Sequence, residues 1–145
     1  MADAINQLRV RLVTPERVLF EHAVEAVELP AKNGYLDVLY GHAPLMAELG
    51  AGDVTLRGVV AEDAPTEQRY NVNWGFAEIL PDRVTILASD ALKPAEIDLA
   101  RAQQQLDRGL KQWKEAGDSE QAFDEALRII TEAEAKLASA ADSKH

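Results

Sequence analysis

The sequence predicts a β sandwich over residues 1–90 followed by an antiparallel helical hairpin over residues 91–145, and three observations carry that prediction. Up to Asp90, apolar residues recur in short runs with a period near two, separated by glycine, proline, asparagine and aspartate. Beyond Asp90 the period changes to three and four, and from Ala95 onward there is no proline. A single break, Gly117-Asp118-Ser119, divides the second region into two stretches of similar length.

The strands can be read in order. Leu8, Val10 and Leu12 alternate with Arg9, Arg11 and Val13, and Pro15-Glu16 ends the run. Val18-Leu19-Phe20 opens a second strand. Val24, Val27 and Leu29 form a third, with Pro30 and the Asn33-Gly34 turn as its stop, since both turn residues tolerate positive φ. Residues 36–39 form a fourth. Val54-Thr55-Leu56 and Val59-Val60 flank a bend at Arg57-Gly58. Residues 69–74, 76–80 and 84–87 complete the set, with Pro81-Asp82 as the last turn. Trp74-Gly75-Phe76 reads as core aromatics beside a strand bulge.

Leu99, Ala102, Leu106, Leu110 and Trp113 share one face of a first helix. Phe123, Leu127, Ile130, Ala133 and Leu137 do the same on a second, which is rich in alanine. Each predicted helix is about 20 residues, or roughly 30 Å. A short turn between them gives an antiparallel pair. Alanine buries little area per residue, so the pair is expected to be only modestly stable by itself. Lys93-Pro94 is the expected hinge, because proline forces its predecessor out of the helical region.

Composition narrows the function. The 145 residues include no cysteine, which removes disulfides, thiol catalysis and cysteine-bound zinc. The three histidines stand at positions 22, 42 and 145, with no ligand-like spacing, and no metal site is expected. The net charge of −10 divides as 7 basic against 14 acidic residues over 1–90, and 8 against 11 over 91–145. Such a chain repels nucleic acid and acidic membrane surfaces at long range. No apolar run reaches spanning length and residues 1–7 lack a signal-peptide pattern, so a soluble cytosolic protein without direct membrane insertion is expected.

No catalytic constellation emerges. His42 has no serine, cysteine or aspartate motif beside it, and reads as a structural histidine at a turn. Gly34-Tyr35-Leu36-Asp37 offers no phosphate nest and no following lysine. Glu25 with Glu28, and Glu62 with Asp63, are pairs that 25 acidic residues produce by chance. Residues 61–68 read as an exposed acidic loop. The remaining cluster opens the first helix: Ile97, Asp98, Arg101 and Ala102, with Arg108 two turns on and on roughly the face of Arg101. On residue types alone it is a capped, solvated helix start; the functional reading is two guanidiniums holding phosphates.

Taken in order, these strings resemble the epsilon subunit of the F-type rotary ATP synthases. Residues 12–20, Leu-Val-Thr-Pro-Glu-Arg-Val-Leu-Phe, are similar to that family's opening strand and turn. Gly41-His42-Ala43-Pro44-Leu45 is the most specific string. Gly75-Phe76-Ala77-Glu78-Ile79 and Val84-Thr85-Ile86-Leu87-Ala88 resemble its closing strands. The resemblance spans about Leu8 to Leu137. Two residues depart from the pattern: Asp37 stands where the family usually has glycine, and Tyr40 where it usually has proline. Aspartate tolerates positive φ better than most residues, so the turn is expected to survive.

The resemblance implies a non-catalytic subunit of the central stalk. The sandwich would bind the gamma subunit and the c-ring, with Gly41, His42, Ala43, Pro44 and Leu45 as candidate contacts. The hairpin would brake ATP hydrolysis when extended towards the beta subunit. It also implies a location peripheral to the bacterial inner membrane, on its cytoplasmic face, with a plastid origin left open. Ile97, Asp98, Arg101 and Ala102 match a motif that binds ATP in some members, and Arg108 fits a further arginine position. No cofactor is required. ATP is expected as a weak regulatory ligand, because the second helix supplies only Arg128 where strongly binding members have several arginines. The same acidic second helix implies a weakened brake. Two rivals remain: a free-standing nucleotide-binding regulatory module, and a small hydrolase built on His42. The stalk reading predicts an uncharged patch on the sandwich, near residues 41–45 or 74–76, for a partner to cover.

Overall fold

A computed structural model describes residues 7–142. The chain divides between Ala91 and Leu92 into two compact units.

The first unit holds seven strands: β1 (Leu8–Val13), β2 (Val18–Val24), β3 (Ala26–Ala31), β4 (Gly34–Leu39), β5 (Leu45–Arg57), β6 (Glu67–Leu80) and β7 (Arg83–Leu92). They hydrogen-bond in the order β2-β1-β7-β6-β5-β3-β4. β1 runs parallel to β7, pairing Arg11 with Thr85 and Val13 with Leu87; the β1–β2, β3–β4, β3–β5 and β5–β6 pairs are antiparallel. One apolar cluster draws Leu8 and Leu12 from β1, Phe20 and Val24 from β2, Leu29 from β3 and Val38 from β4. Strands at opposite ends of the hydrogen-bond order can share a core only if the sheet folds over on itself. The seam of that closure is visible where Val60 N, just past β5, donates to Ala23 O on β2 at 2.9 Å. Tyr70 on β6 adds a bond from its hydroxyl to Leu19 O at 3.2 Å.

Folding over is done by the two long strands. On β5 the buried non-polar residues are Ala47 and Leu49 before Gly50, and Gly52, Val54 and Leu56 after it. On β6 the buried apolar residues are Tyr70 and Val72 before Trp74, then Ala77 and Ile79 after Gly75, with Asn71 and Asn73 also buried at the crossover. Both strands therefore exchange their buried pleat face at one level, where Leu49 pairs with Gly75 and Ala51 with Asn73. The backbone cause is at Trp74 and Gly75, whose φ values are 49° and 134°.

Several expectations are corrected here. Pro30 does not end a strand: it lies within β3 opposite Tyr35, and its missing N–H falls in the gap between Glu28 and Ala31 where the β3–β5 register shifts. Residues 69–74 and 76–80 form one strand through Gly75. β5 begins at Leu45, a half of the strand that Gly50 and Gly52 conceal in the sequence. Val60 makes only an isolated bridge to Ala23. Asp37 needs no unusual φ, since it is extended within β4 and pairs with Glu28.

The second unit contains a short 3-10 turn (Pro94–Glu96), α1 (Leu99–Glu115) and α2 (Glu120–Asp142). Asp98 caps α1 by accepting from Arg101 N at 3.1 Å, and Ser119 caps α2 by accepting from Ala122 N at 3.2 Å. Gly117, at φ 58°, makes the turn between them. The helices meet along small residues. Ala102, Gly109 and Ala116 are buried on one side, and Ala126, Ala133 and Ala140 on the other, each set repeating at seven. Leu99, Leu110, Trp113, Phe123 and Leu127, expected as the buried stripe, are exposed. A seam without bulky side chains brings the axes close, and the large residues are left at its flanks.

Candidate functional site

The five residues 41–45 link β4 to β5 and begin its first strand position. Gly41, at φ 90°, donates its N–H to Pro81 O at 2.7 Å, tying this link to the β6–β7 turn. His42 N donates to Leu39 O at 3.1 Å, and its Nδ1 lies 2.7 Å from Ala43 O. The imidazole is thus spent on its own backbone, and among the described residues no carboxylate bonds to it. A hydrolytic dyad has no geometric support. Ala43, Pro44 and Leu45 are exposed, and Leu39 and Tyr40 add further exposed apolar surface beside them.

A second apolar surface lies on the outer pleat of β5, β6 and β7, and only its neighbourhood was foreseen. Met46, Phe76 and Leu87 are 62%, 52% and 54% exposed. With Glu78 and Thr85 they line one shallow groove of about 410 Å³. The pairing explains the arrangement: Met46 faces Glu78 and Glu48 faces Phe76 across β5–β6, so alternate residues of each strand stand on one face. Clustered exposed side chains of this size mark interaction surfaces. Phe76, expected beside Gly75 as a core aromatic, is instead exposed on this outer face. Met46 and Leu87 could have been found by their odd placement, as apolar residues where the period of two calls for polar ones.

The expected nucleotide cluster is only partly assembled. Ile97 is buried, Asp98 is engaged as the α1 cap, and Ala102 belongs to the helix seam. Arg101 and Arg108 are exposed, and among the described residues neither is in an ion pair. On α2, Arg128 Nε lies 3.6 Å from Glu132 Oε1, and Glu132 Oε2 accepts from Gln105 Nε2 at 3.3 Å. The one α2 arginine is therefore held by its own helix. No group of three or more metal-ligating side chains occurs among the described residues.

Comparison with known proteins gives a consistent result. Residues 7–94 match the family model described as ATP synthase, Delta/Epsilon chain, beta-sandwich domain. The ATP synthase epsilon chain of Koribacter versatilis is 44% identical over 120 residues, covering 81% of this chain and 77% of that one. That of Solibacter usitatus is 41% identical over 137 residues, covering 93% and 96%. Two solved structures share the fold. A chain of the Euglena gracilis mitochondrial ATP synthase superposes with a TM-score of 0.75 at 20% identity, covering 97% of this chain and 82% of that one. A chain of the Tetrahymena thermophila mitochondrial ATP synthase central stalk and c-ring gives 0.66 at 11% identity, covering 92% and 96%. On the match over residues 7–94 and the identity to whole epsilon chains, this chain belongs to the epsilon-subunit family of the F-type ATP synthases.

Proposed function

We propose that this non-catalytic chain is a rotor component of the central stalk, coupling proton flow through the membrane sector to ATP synthesis. The sandwich binds the gamma subunit and the c-ring, and the helical hairpin regulates ATP hydrolysis, reaching the beta subunit when it extends. The complex holds the chain at the cytoplasmic face of the bacterial inner membrane. No helix among the described residues is long and apolar enough to cross a membrane, which agrees with a peripheral attachment.

The observation that carries this reading is the exposed Met46, Phe76 and Leu87 surface. Apolar surface of this kind is retained where a partner covers it. The test is ATP hydrolysis by the catalytic sector stripped of this subunit, with the full chain or a hairpin-less chain added back. Both are expected to bind, and only the full chain to slow hydrolysis. Failure of both to bind would overturn the stalk reading; binding of both without slowing would remove the brake alone.

Arg101 and Arg108, exposed and in no ion pair among the described residues, favour ATP as a weak ligand of the hairpin unit. Two guanidiniums suit a polyphosphate, but Arg128 is occupied by Glu132. Titration calorimetry is expected to give a dissociation constant of about 1 mM, some 4 kcal/mol. Micromolar binding would favour a free-standing nucleotide-binding module instead.

A further inference from the structure

We infer that Glu78 is the polar anchor of the β5–β6–β7 face, and that the partner segment docking there carries a basic side chain among apolar ones. The inference rests on the stalk reading and deepens it, taking the gamma subunit as the occupant.

One charged residue lines the groove, Glu78; the exposed Arg9 and Arg83, a cross-strand pair two residues along β1 and β7, stand on the same pleat face outside it. Arg11, cross-strand from Thr85, is already engaged by Glu21 Oε2 at 3.1 Å. Glu48, cross-strand from Phe76, is engaged by Lys32 Nζ at 3.3 Å. Among the described residues the Glu78 side chain is in no ion pair or hydrogen bond, and its groove neighbours are Met46, Phe76, Thr85 and Leu87. In water this costs nothing, because solvent satisfies the carboxylate.

Docking changes that balance. Any partner that covers Met46, Phe76 and Leu87 also strips water from Glu78 between them. An ionised carboxylate buried without a partner is strongly unfavourable, so an occupant apolar throughout is rejected. An arginine or lysine delivered to the groove restores the lost hydration and fixes register along the face. The net charge of −10 adds long-range attraction for the same sign of partner. Apolar contact thus supplies area, and Glu78 discriminates which segment is accepted.

The experiment is binding of the full chain to the purified gamma subunit of the same enzyme, by calorimetry at two salt concentrations. The variants are Glu78→Gln, Glu78→Lys, Phe76→Ser and, as a control on a carboxylate engaged away from the groove by Arg57 at 3.5 Å, Glu67→Gln. Thermal melting of each variant confirms its fold. Glu78→Gln is expected to weaken binding about tenfold and Glu78→Lys about a hundredfold, both with reduced salt dependence, while Glu67→Gln binds as wild type. Weakening by Phe76→Ser with wild-type binding by both Glu78 variants would overturn the anchor and leave the stalk reading standing. Wild-type binding by all variants would overturn the docking face as well. Failure of the unmodified chain to bind gamma would sink the stalk reading and this inference with it.

Discussion

Gly109 sits against Ile130 with no room for a side chain: a Cβ there would stand 2.9 Å from Ile130 Cγ1 and 3.2 Å from Ile130 N, with Ile129 Cγ2 at 3.0 Å. The isoleucine atoms are the first branches of stiff side chains, so they cannot swing clear. Replacing glycine by alanine in a helix normally gains about 1 kcal/mol. Overpacking a tight contact costs about 1–3 kcal/mol. Gly109→Ala is therefore expected to destabilise the hairpin by about 1 kcal/mol, against helix propensity. Denaturant unfolding followed by far-ultraviolet circular dichroism checks the sign; a stabilised variant would mean that the helices separate freely.

Gly75 is a harsher case. A Cβ there would lie on top of Leu87 O, the backbone of the neighbouring strand, and φ is 134°. Neither the carbonyl nor the φ value can adapt without breaking the β6–β7 pairing. Gly75→Ala is expected to cost at least about 3 kcal/mol, enough to deplete folded sandwich. Expression yield and the thermal midpoint report it, and a midpoint within a few degrees of wild type would refute the close approach.

Asp37 and Glu28 stand directly opposite on β4 and β3, two like charges in one cross-strand pair. Such a pair is destabilising, and opposite charges contribute roughly 0.2–1 kcal/mol. Asp37→Lys is therefore expected to raise the stability of the sandwich by about 0.5–1 kcal/mol at low salt, with the gain shrinking as salt is added. Denaturation midpoints in low and high salt measure both effects, and a loss of stability would show that Asp37 has a role this pairing does not reveal.

These positions also show what could be read before the fold was known. The strand-to-helix change after Asp90 was legible because two hydrophobic periods differ plainly, and Ser119 because capping is local chemistry. The first half of β5 was not, because Gly50 and Gly52 look like loop, while Gly52 is there because a Cβ would stand 2.6 Å from Tyr35 Oη and 2.8 Å from Pro30 Cβ. Pro30 misled because its tolerance depends on a register shift with β5, a partner distant in sequence. On the hairpin, the period of the stripe was right but its meaning was not: Ala102, Gly109 and Ala133 are buried, and Leu110 and Trp113 are exposed. Size ranks residues for burial on average, whereas a close helix crossing selects for the absence of size. At the candidate sites, residues 41–45 were visible as a string. The groove around Glu78 joins three strands and becomes visible only with the sheet assembled.

Asp98 can be tested for a role beyond the helix end. Its side chain accepts from Arg101 N at 3.1 Å, so Asp98→Ala is expected to cost the hairpin about 1 kcal/mol, and Asp98→Asn, an equally good cap, almost nothing. Hydrogen exchange at the first turn of α1 distinguishes them. If Asp98→Asn keeps that protection yet alters ATP titration, the residue acts on the ligand. If both properties follow the cap, it acts through the helix alone.

The place where the chain is cut decides whether the sandwich can be studied without its hairpin. β7 continues to Leu92, and Ala91 is buried in the core. A chain ending at Asp90, the boundary suggested by periodicity, removes Ala91 and the last residue of β7. A chain ending at Lys93 keeps both and stops before Pro94 begins the 3-10 turn. Removing a buried alanine together with the end of its strand is expected to cost about 1–3 kcal/mol. The Lys93 product should therefore melt several degrees above the Asp90 product, a shift of about 4–8 °C per kcal/mol in a domain of this size. Equal melting temperatures would show that the last turn of β7 adds nothing to the sandwich. A lower one for the longer chain would mean that residues 91–93 destabilise the isolated sandwich.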